Sequence, residues 1–174
     1  MFLDLAERRR SIRKFTDEPV DIKDMDLIAE AALNAPSAMN RRPVEFVMVR
    51  DPKTLALLSE LKPVGSAPLA GAALAIAVLA DTENGKGTYV HDAAIAAITM
   101  QYAAADLGLG SCWIHVDGAR TQDGIESAEY VRKLLDVPDR YYVGCVLAVG
   151  HPAETPTARK ERADSPRHDE RFGQ

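Results

Sequence analysis

Apolar residues first recur at helical spacing after Asp21, at Met25, Ile28, Ala29 and Ala32, which predicts an amphipathic helix with Asp21 as its N-cap. The pattern stops near Asn34, before Pro36, because a residue preceding proline is pushed out of the helical region. Residues 45–50, EFVMVR, read as a strand. Asp51 and Pro52 then supply the N-cap and first position of a helix over 53–61. Residues 73–80 form a second strand, too apolar to face water on either side. Residues 111–116 and 142–149 are two more strands, with a helix over 125–135 between them that Pro138 stops.

The helix predicted over 88–107 is rich in Ala, Ile and Met, and its polar residues are only His91, Asp92, Thr99, Gln101 and Asp106. A helix apolar on nearly every face has to be covered on nearly every face. A chain this short has little core to spare, so a subunit interface is expected to complete the cover. Gly108 and Gly110 stop the helix. From His151 onward the sequence turns polar, with Pro152, Pro156 and Pro166, and reads as an extended tail over 151–174. Helices and strands do not alternate regularly, which favours an α+β fold over a doubly wound sheet, and the 174 residues suit one domain, 1–174.

Composition narrows the function classes. Apolar residues make up 47% and charged ones 27% of the chain, as in ordinary globular proteins. The net charge of −5 does not suit a nucleic-acid partner. The N-terminal MFLDLAERRR lacks the apolar region of a secretory signal. The uncharged run 63–80 reaches membrane-spanning length, but Pro63, Gly65, Ser66, Pro68 and Gly71 interrupt it, so a loop and a buried strand are expected and no membrane partner. Cys112 and Cys145 have neither metal-type spacing nor a secreted framework, and a soluble cytoplasmic protein is the expectation.

Four segments carry candidate chemistry. RRRSIRKF at 8–15 places five basic residues in eight, and reads as a solvated face after a short helix, a nucleic-acid patch or a phosphate clamp of guanidinium groups with Ser11. APSAMNRRP at 35–43 is a loop rich in hydrogen-bonding groups. LGLGSCWIH at 107–115 leads two glycines into a strand bearing the only Trp, an order opposite to that of a dinucleotide fingerprint. RKER at 159–162 is a second basic cluster. Ser11, Ser37 and Ser111 lack a nucleophile elbow, and His91, His115, His151 and His168 show no ligand pairing, so neither a triad nor a zinc site is expected. Cys112, with no C-x-x-C partner, reads as a small buried hydrophobe.

Taken in order, these segments resemble the FMN-dependent nitroreductase family. The resemblance rests on R-R-S-I-R-K-F at 9–15, A-P-S-A-M-N-R-R-P at 35–43, D-A-A-I-A-A from Asp92, G-L-G-S-C-W-I at 108–114, V-G-H-P-A-E at 149–154 and K-x-R at 160–162. It implies a sandwich with a central, mostly antiparallel sheet flanked by helices, in an intertwined homodimer sharing two FMN sites. Arg9, Arg10, Ser11 and Arg13 match the family's phosphate and ribityl contacts, with Arg13 nearest the ring, and Lys160 and Arg162 add to the clamp. Pro36, Ser37, Ala38, Asn40 and Arg42 line the ring from the other subunit, while the backbone of Cys112, Trp113, Ile114 and His115 offers an N–H near N5.

The implied activity is ping-pong transfer of electrons from NADH or NADPH to a small acceptor such as a nitroaromatic or quinone. A non-catalytic flavin-binding protein is the other reading. Charge-assisted hydrogen bonds, about 1.5–3 kcal/mol each, explain why arginines suit a phosphate monoester. A cation such as Arg13 at the pyrimidine end favours the reduced ring. Hydride transfer belongs to the cofactor, so no side-chain acid or base is expected. The chain departs from the family at Arg42, often Gln in relatives, at Val44, often a large aromatic, and at His115, commonly Gly. Around residues 65–70, where some relatives place a lysine toward the flavin, no such side chain occurs, and the chain is of the short type without lid insertions.

Overall fold

A computed structural model describes residues 1–157 and 167–173. Helix α1 (Phe2–Arg8) precedes the basic run and buries no residue. Helix α2 (Ile22–Leu33) starts where Asp21 accepts a hydrogen bond from the Lys23 amide, and it buries Met25, Ile28 and Ala32. Strand β1 (Val44–Val49) follows, then α3 (Pro52–Leu58), capped by the Asp51 carboxylate, which accepts from the Thr54 amide at 2.9 Å and its hydroxyl at 2.8 Å. Those two bonds hold the Asp51 carboxyl below its ordinary range.

Helix α3 stops at Leu58, short of the expected 61, where the Glu60 and Leu61 amides tighten onto the carbonyls of Leu57 and Leu58, and the buried Ser66 hydroxyl lies 2.6 Å from the Ser59 carbonyl and 2.7 Å from that of Lys62. Strand β2 (Leu74–Asp81) leads into the short α4 (Thr82–Gly85) and the long α5 (Tyr89–Asp106). Strand β3 (Gly110–His115), α6 (Ser127–Leu134) and β4 (Tyr141–Gly150) complete the order. Helix α6 begins two residues later than the pattern predicts. The Thr121 amide bonds the Ile125 carbonyl and the Ser127 amide that of Ala119, both at 2.9 Å, which holds Ile125 in a tight loop.

Among the described residues the four strands form one sheet, ordered β1-β2-β4-β3, with every neighbouring pair antiparallel. The architecture is α+β, as expected. Both faces are covered. Ala75, Ala77 and Leu79 of β2 join Leu55, Leu58 and Val131 in one core, while Leu74, Ile76 and Val78 join α2 and α5 in the other. This period-two split explains why β2 reads as continuously apolar.

Helix α5 buries one face, including Asp92, Ala93, Ala96, Ala97, Met100 and Ala104. The protomer does not cover the other face as fully: Val90 is 40% exposed, and α1 contributes a ring contact from Phe2 to Tyr102 at 5.2 Å while Phe2 itself stays 64% exposed. The apolar pattern of α5 therefore exceeds what one copy of the chain buries.

The N-terminal segment after α1 lies across the end of the sheet. The Ile12 amide donates to the Ser111 carbonyl, Thr16 to His151 and Ala153 to Lys14, each at 2.9 Å. Residues 151–154 thus run antiparallel to 13–16 as the first part of the extended tail. Two glycines facing each other in the β3–β4 register, Gly110 and Gly150, make room for this segment. A Cβ at Gly110 would lie 2.8 Å from the Ile12 Cβ, and one at Gly150 would lie 3.1 Å from the Phe15 ring.

Gly110→Ala is expected to cost about 1–3 kcal/mol by overpacking. Urea denaturation checks this, and the penalty should shrink in an Ile12→Gly background, where the Cβ and both γ-carbons it would meet are gone. Equal penalties in both backgrounds would mean that this close approach does not govern the fit.

Candidate functional site

The zipped segments wall a polar cleft of about 440 Å³, lined by Arg9, Arg10, Ser11, Arg13, Glu154 and Thr157 with Pro156. Next to it, Arg8, Arg9, Arg10 and Ile12 face Ala105, Gly108 and Leu109 across a smaller depression of about 250 Å³. The Arg10 guanidinium donates to the Thr157 carbonyl, and the Arg13 amide donates to Glu154 Oε1 at 2.5 Å. Arg9 stands over the Tyr102 ring at 5.9 Å. The structure thus gathers the four expected clamp residues Arg9, Arg10, Ser11 and Arg13, and adds Glu154 as an acceptor that orients the segment. Lys160 and Arg162 lie outside the described residues.

Strand β3 is an edge of the sheet. The carbonyls of Ser111 and His115 are both engaged on the side away from β4, by the Ile12 amide at 2.9 Å and by Lys62 Nζ at 3.0 Å. Antiparallel strands alternate the direction of their backbone polar groups, so Trp113, between these two, turns its N–H and carbonyl to that same outer side. The side chains of Cys112 and Ile114 are buried in the core, and their backbone groups face β4. Of the four residues 112–115, Trp113 and His115 therefore present amide donors to the open edge.

Arg13 and Lys62 both lie close enough to the Cys112 thiol to act on it electrostatically. Burial nonetheless wins and pushes the thiol above its ordinary range, which leaves it protonated and a poor nucleophile at neutral pH. Burial also pulls the Lys62 ammonium below its ordinary value. Lys62 is a site residue that the sequence reading passes over. It lies three residues before the 65–70 stretch, and directly after a helix a lysine reads as a cation answering the helix dipole.

The 35–43 loop lies elsewhere. The Ala38 amide donates to Asp92 Oδ1 at 2.9 Å, and the Thr88 hydroxyl donates to Asp92 Oδ2 at 3.2 Å, which fixes the loop to the N-terminal turn of α5. Asp92 is only 2% exposed. The Arg42 amide donates to the Ser37 hydroxyl at 2.9 Å, Arg42 Nε to Asn40 Oδ1 at 3.0 Å, and Asn84 Nδ2 to the Arg41 carbonyl at 2.9 Å. Met39, Asn40 and Arg42 have φ of 52°, 54° and 50°, left-handed values that cost energy in non-glycine residues unless neighbours hold them.

Helix α5 separates the loop from the arginine cleft. It has 18 residues, and the stretch from Asp92, which holds Ala38, to Ala105, which lines the smaller depression, covers about 20 Å at the usual rise. Within one protomer, Pro36, Ser37, Ala38, Asn40 and Arg42 do not meet Arg9, Arg10, Ser11 and Arg13.

The family model of the nitroreductase family matches the chain over residues 6–86 and 60–151. A Methanothermobacter thermautotrophicus protein with the provisional name NADH dehydrogenase/NAD(P)H nitroreductase is 36% identical over 159 residues, covering 90% of this chain and 80% of its own length. The solved structure of an FMN-dependent nitroreductase from Clostridium difficile R20291 superposes with a TM-score of 0.92 at 38% identity, covering 98% of this chain and 99% of the other. A protein from Desulfovibrio desulfuricans, provisionally named a nitroreductase and solved in complex with FMN, gives a TM-score of 0.76 at 28% identity, with 92% and 91% covered.

Asp92→Ala is expected to destabilise the protein by about 1–3 kcal/mol, because it leaves the Ala38 amide without its acceptor in a part-buried site. Hydrogen exchange at the Ala38 amide should quicken more than exchange in β2. Uniform loss of protection across the fold would show instead that Asp92 serves global stability and not the loop.

Proposed function

The chain belongs to the nitroreductase family, and from that premise we propose that it is an FMN-dependent NAD(P)H oxidoreductase acting by a ping-pong mechanism on a small acceptor such as a nitroaromatic or a quinone. The observation that carries this reading is the cleft in which Arg9, Arg10, Ser11 and Arg13 converge on one polar space. Its donor set fits a phosphate monoester: guanidinium groups and a hydroxyl, with charged hydrogen bonds contributing about 1.5–3 kcal/mol each. Lys160 and Arg162 complete the clamp in this reading.

The open β3 edge suits the ring. Trp113 and His115 offer amide donors there, and Lys62 and Arg13 flank it with positive charge. Bound FMN supplies the hydride chemistry. The chain's own residues hold the phosphate, orient the ring by backbone donors and place fixed charge beside it. NADH or NADPH and then the acceptor occupy the same opening in turn.

The site is shared between two copies of the chain. One protomer cannot bring its 35–43 loop to its own arginine cleft across the length of α5, whereas a two-fold related copy can supply Pro36, Ser37, Ala38, Asn40 and Arg42 to it. Exposed apolar residues on α1 and α5, Phe2, Leu3 and Val90 among them, provide the surface for such a pairing. In this reading residues 1–174 act as one FMN-binding domain in the cytoplasm, without nucleic-acid or membrane partners. No helix among the described residues is long and apolar enough to cross a membrane.

Purified protein is expected to be yellow, or to become so on adding FMN, and to bleach within seconds on mixing with NADH or NADPH. Protein that binds no FMN refutes the reading, and persistent yellow colour marks a flavin carrier without reductase activity. Arg9→Ala should weaken FMN affinity about tenfold or more in a fluorescence titration, the worth of a charged hydrogen bond. Unchanged affinity would remove Arg9 from the clamp.

The shared site has its own test. Co-expressed heterodimers carrying Arg9→Ala and Arg10→Ala in one copy and Ser37→Ala and Asn40→Ala in the other keep one intact site of two by symmetry, so they should recover about half of wild-type activity. Each parent homodimer should stay impaired. Heterodimers no better than the parents would place all site residues within one copy.

A further inference from the structure

The loop that carries Arg42 is built to hold one cation in place, and among the described residues it supplies no ion-pair partner for it. Ser37 fixes the Arg42 amide and Asn40 Oδ1 takes the Nε–H, so one edge of the guanidinium is engaged by a neutral acceptor. The loop's flanks are tied down independently, by Asp92 at Ala38 and by Asn84 at Arg41. Asp92, which holds the loop at Ala38, is itself buried, and it forms no ion pair with Arg42. Among the described residues no carboxylate forms an ion pair with Arg42, whose side chain is exposed.

An arginine held at Nε by a neutral oxygen keeps its terminal N–H donors and its full charge for a ligand. That geometry matches a carboxylate or phosphate, which accepts two parallel hydrogen bonds. Pre-organisation strengthens the effect, because the backbone and Nε are already fixed and less side-chain freedom is lost on binding.

We propose that Arg42 is a specificity-determining residue: it recruits an anionic group, carboxylate or phosphate, on a molecule entering the shared opening, and so favours anionic over neutral substrates. This rests on the reading above, in which the loop of one copy borders the opening of the other. Two incoming molecules could carry the anion: an acceptor bearing a carboxylate, or a nicotinamide donor bearing a phosphate on its adenosine ribose.

The test uses the FMN-loaded dimer and the variants Arg42→Gln and Arg42→Lys. One arm compares kcat/KM for 4-nitrobenzoate with that for its neutral isostere 4-nitrobenzamide, and the other compares NADPH with NADH. Arg42→Gln should lower either the nitrobenzoate-to-nitrobenzamide ratio or the NADPH-to-NADH ratio about tenfold, chiefly through KM, while Arg42→Lys keeps part of it. The arm that responds identifies the source of the anion. Added salt should lower the same ratio in the wild type and much less in Arg42→Gln. Ratios unchanged in both arms overturn the proposal. A loss of FMN affinity with unchanged ratios overturns it too, by assigning the guanidinium to the flavin. Wild-type protein that takes up no FMN refutes the underlying reading itself, an outcome separable from the first two.

Discussion

A rigid helix is the constraint from which the rest follows. Helix α5 runs as 18 continuous residues between its start beside the 35–43 loop and its end at Asp106, by the depression next to the arginine cleft. It cannot shorten, because Ala93, Ala96, Ala97, Met100 and Ala104 seat it against the sheet along its whole length. Residues at its two ends therefore belong to different places on one protomer. Under the proposed reading these are two half-sites on one rigid spacer, which a symmetry axis between two copies joins. The surplus of apolar surface on α5 and α1 points the same way, since helices apolar beyond their own core contacts are costly to leave in water.

At the cleft itself, backbone geometry positions the segment and the side chains line the space. Residues 11–16 are held between β3 and the tail by main-chain bonds to Ser111, His151 and Ala153, which are indifferent to the side chains they carry. The side chains of Arg9, Arg10 and Arg13 then line the cleft, Arg9 over the Tyr102 ring and Arg10 on the Thr157 carbonyl. The condition is that two strands come close enough at Gly110 and Gly150 for Ile12 and Phe15 to pack over them. A small steric requirement in the sheet thus decides where three cations gather.

What the sequence made legible follows from how local each cause is. The N-caps at Asp21 and Asp51 act within three residues, so pattern alone locates the starts of α2 and α3. The basic run and the polar loop declare their chemistry by composition. Gly110 was harder to read. It looks like a helix stop, yet Gly108, with φ of +78°, makes that turn, and Gly110 is needed for the approach of a segment from the far end of the chain. Lys62 and Asp92 are obscure for the same reason. Each meets its partner, the His115 carbonyl or the Ala38 amide, only after the sheet and α5 are assembled. The backbone donors at Trp113 and His115 depend on which side of β3 is the open edge, which no local pattern encodes.

The distribution of cation types has a consequence under the proposed reading. The clamp's arginines are guanidinium groups, which stay charged across the physiological pH range, so their hold on a phosphate changes with pH only as the phosphate itself titrates. The cation at the β3 edge is different in kind: Lys62 is an ammonium that burial has already drawn below its ordinary value. Raising the pH therefore discharges Lys62 before it affects any arginine. Under this reading the charge beside the ring comes from Arg13, which keeps it, and from Lys62, which sheds it first as the pH rises.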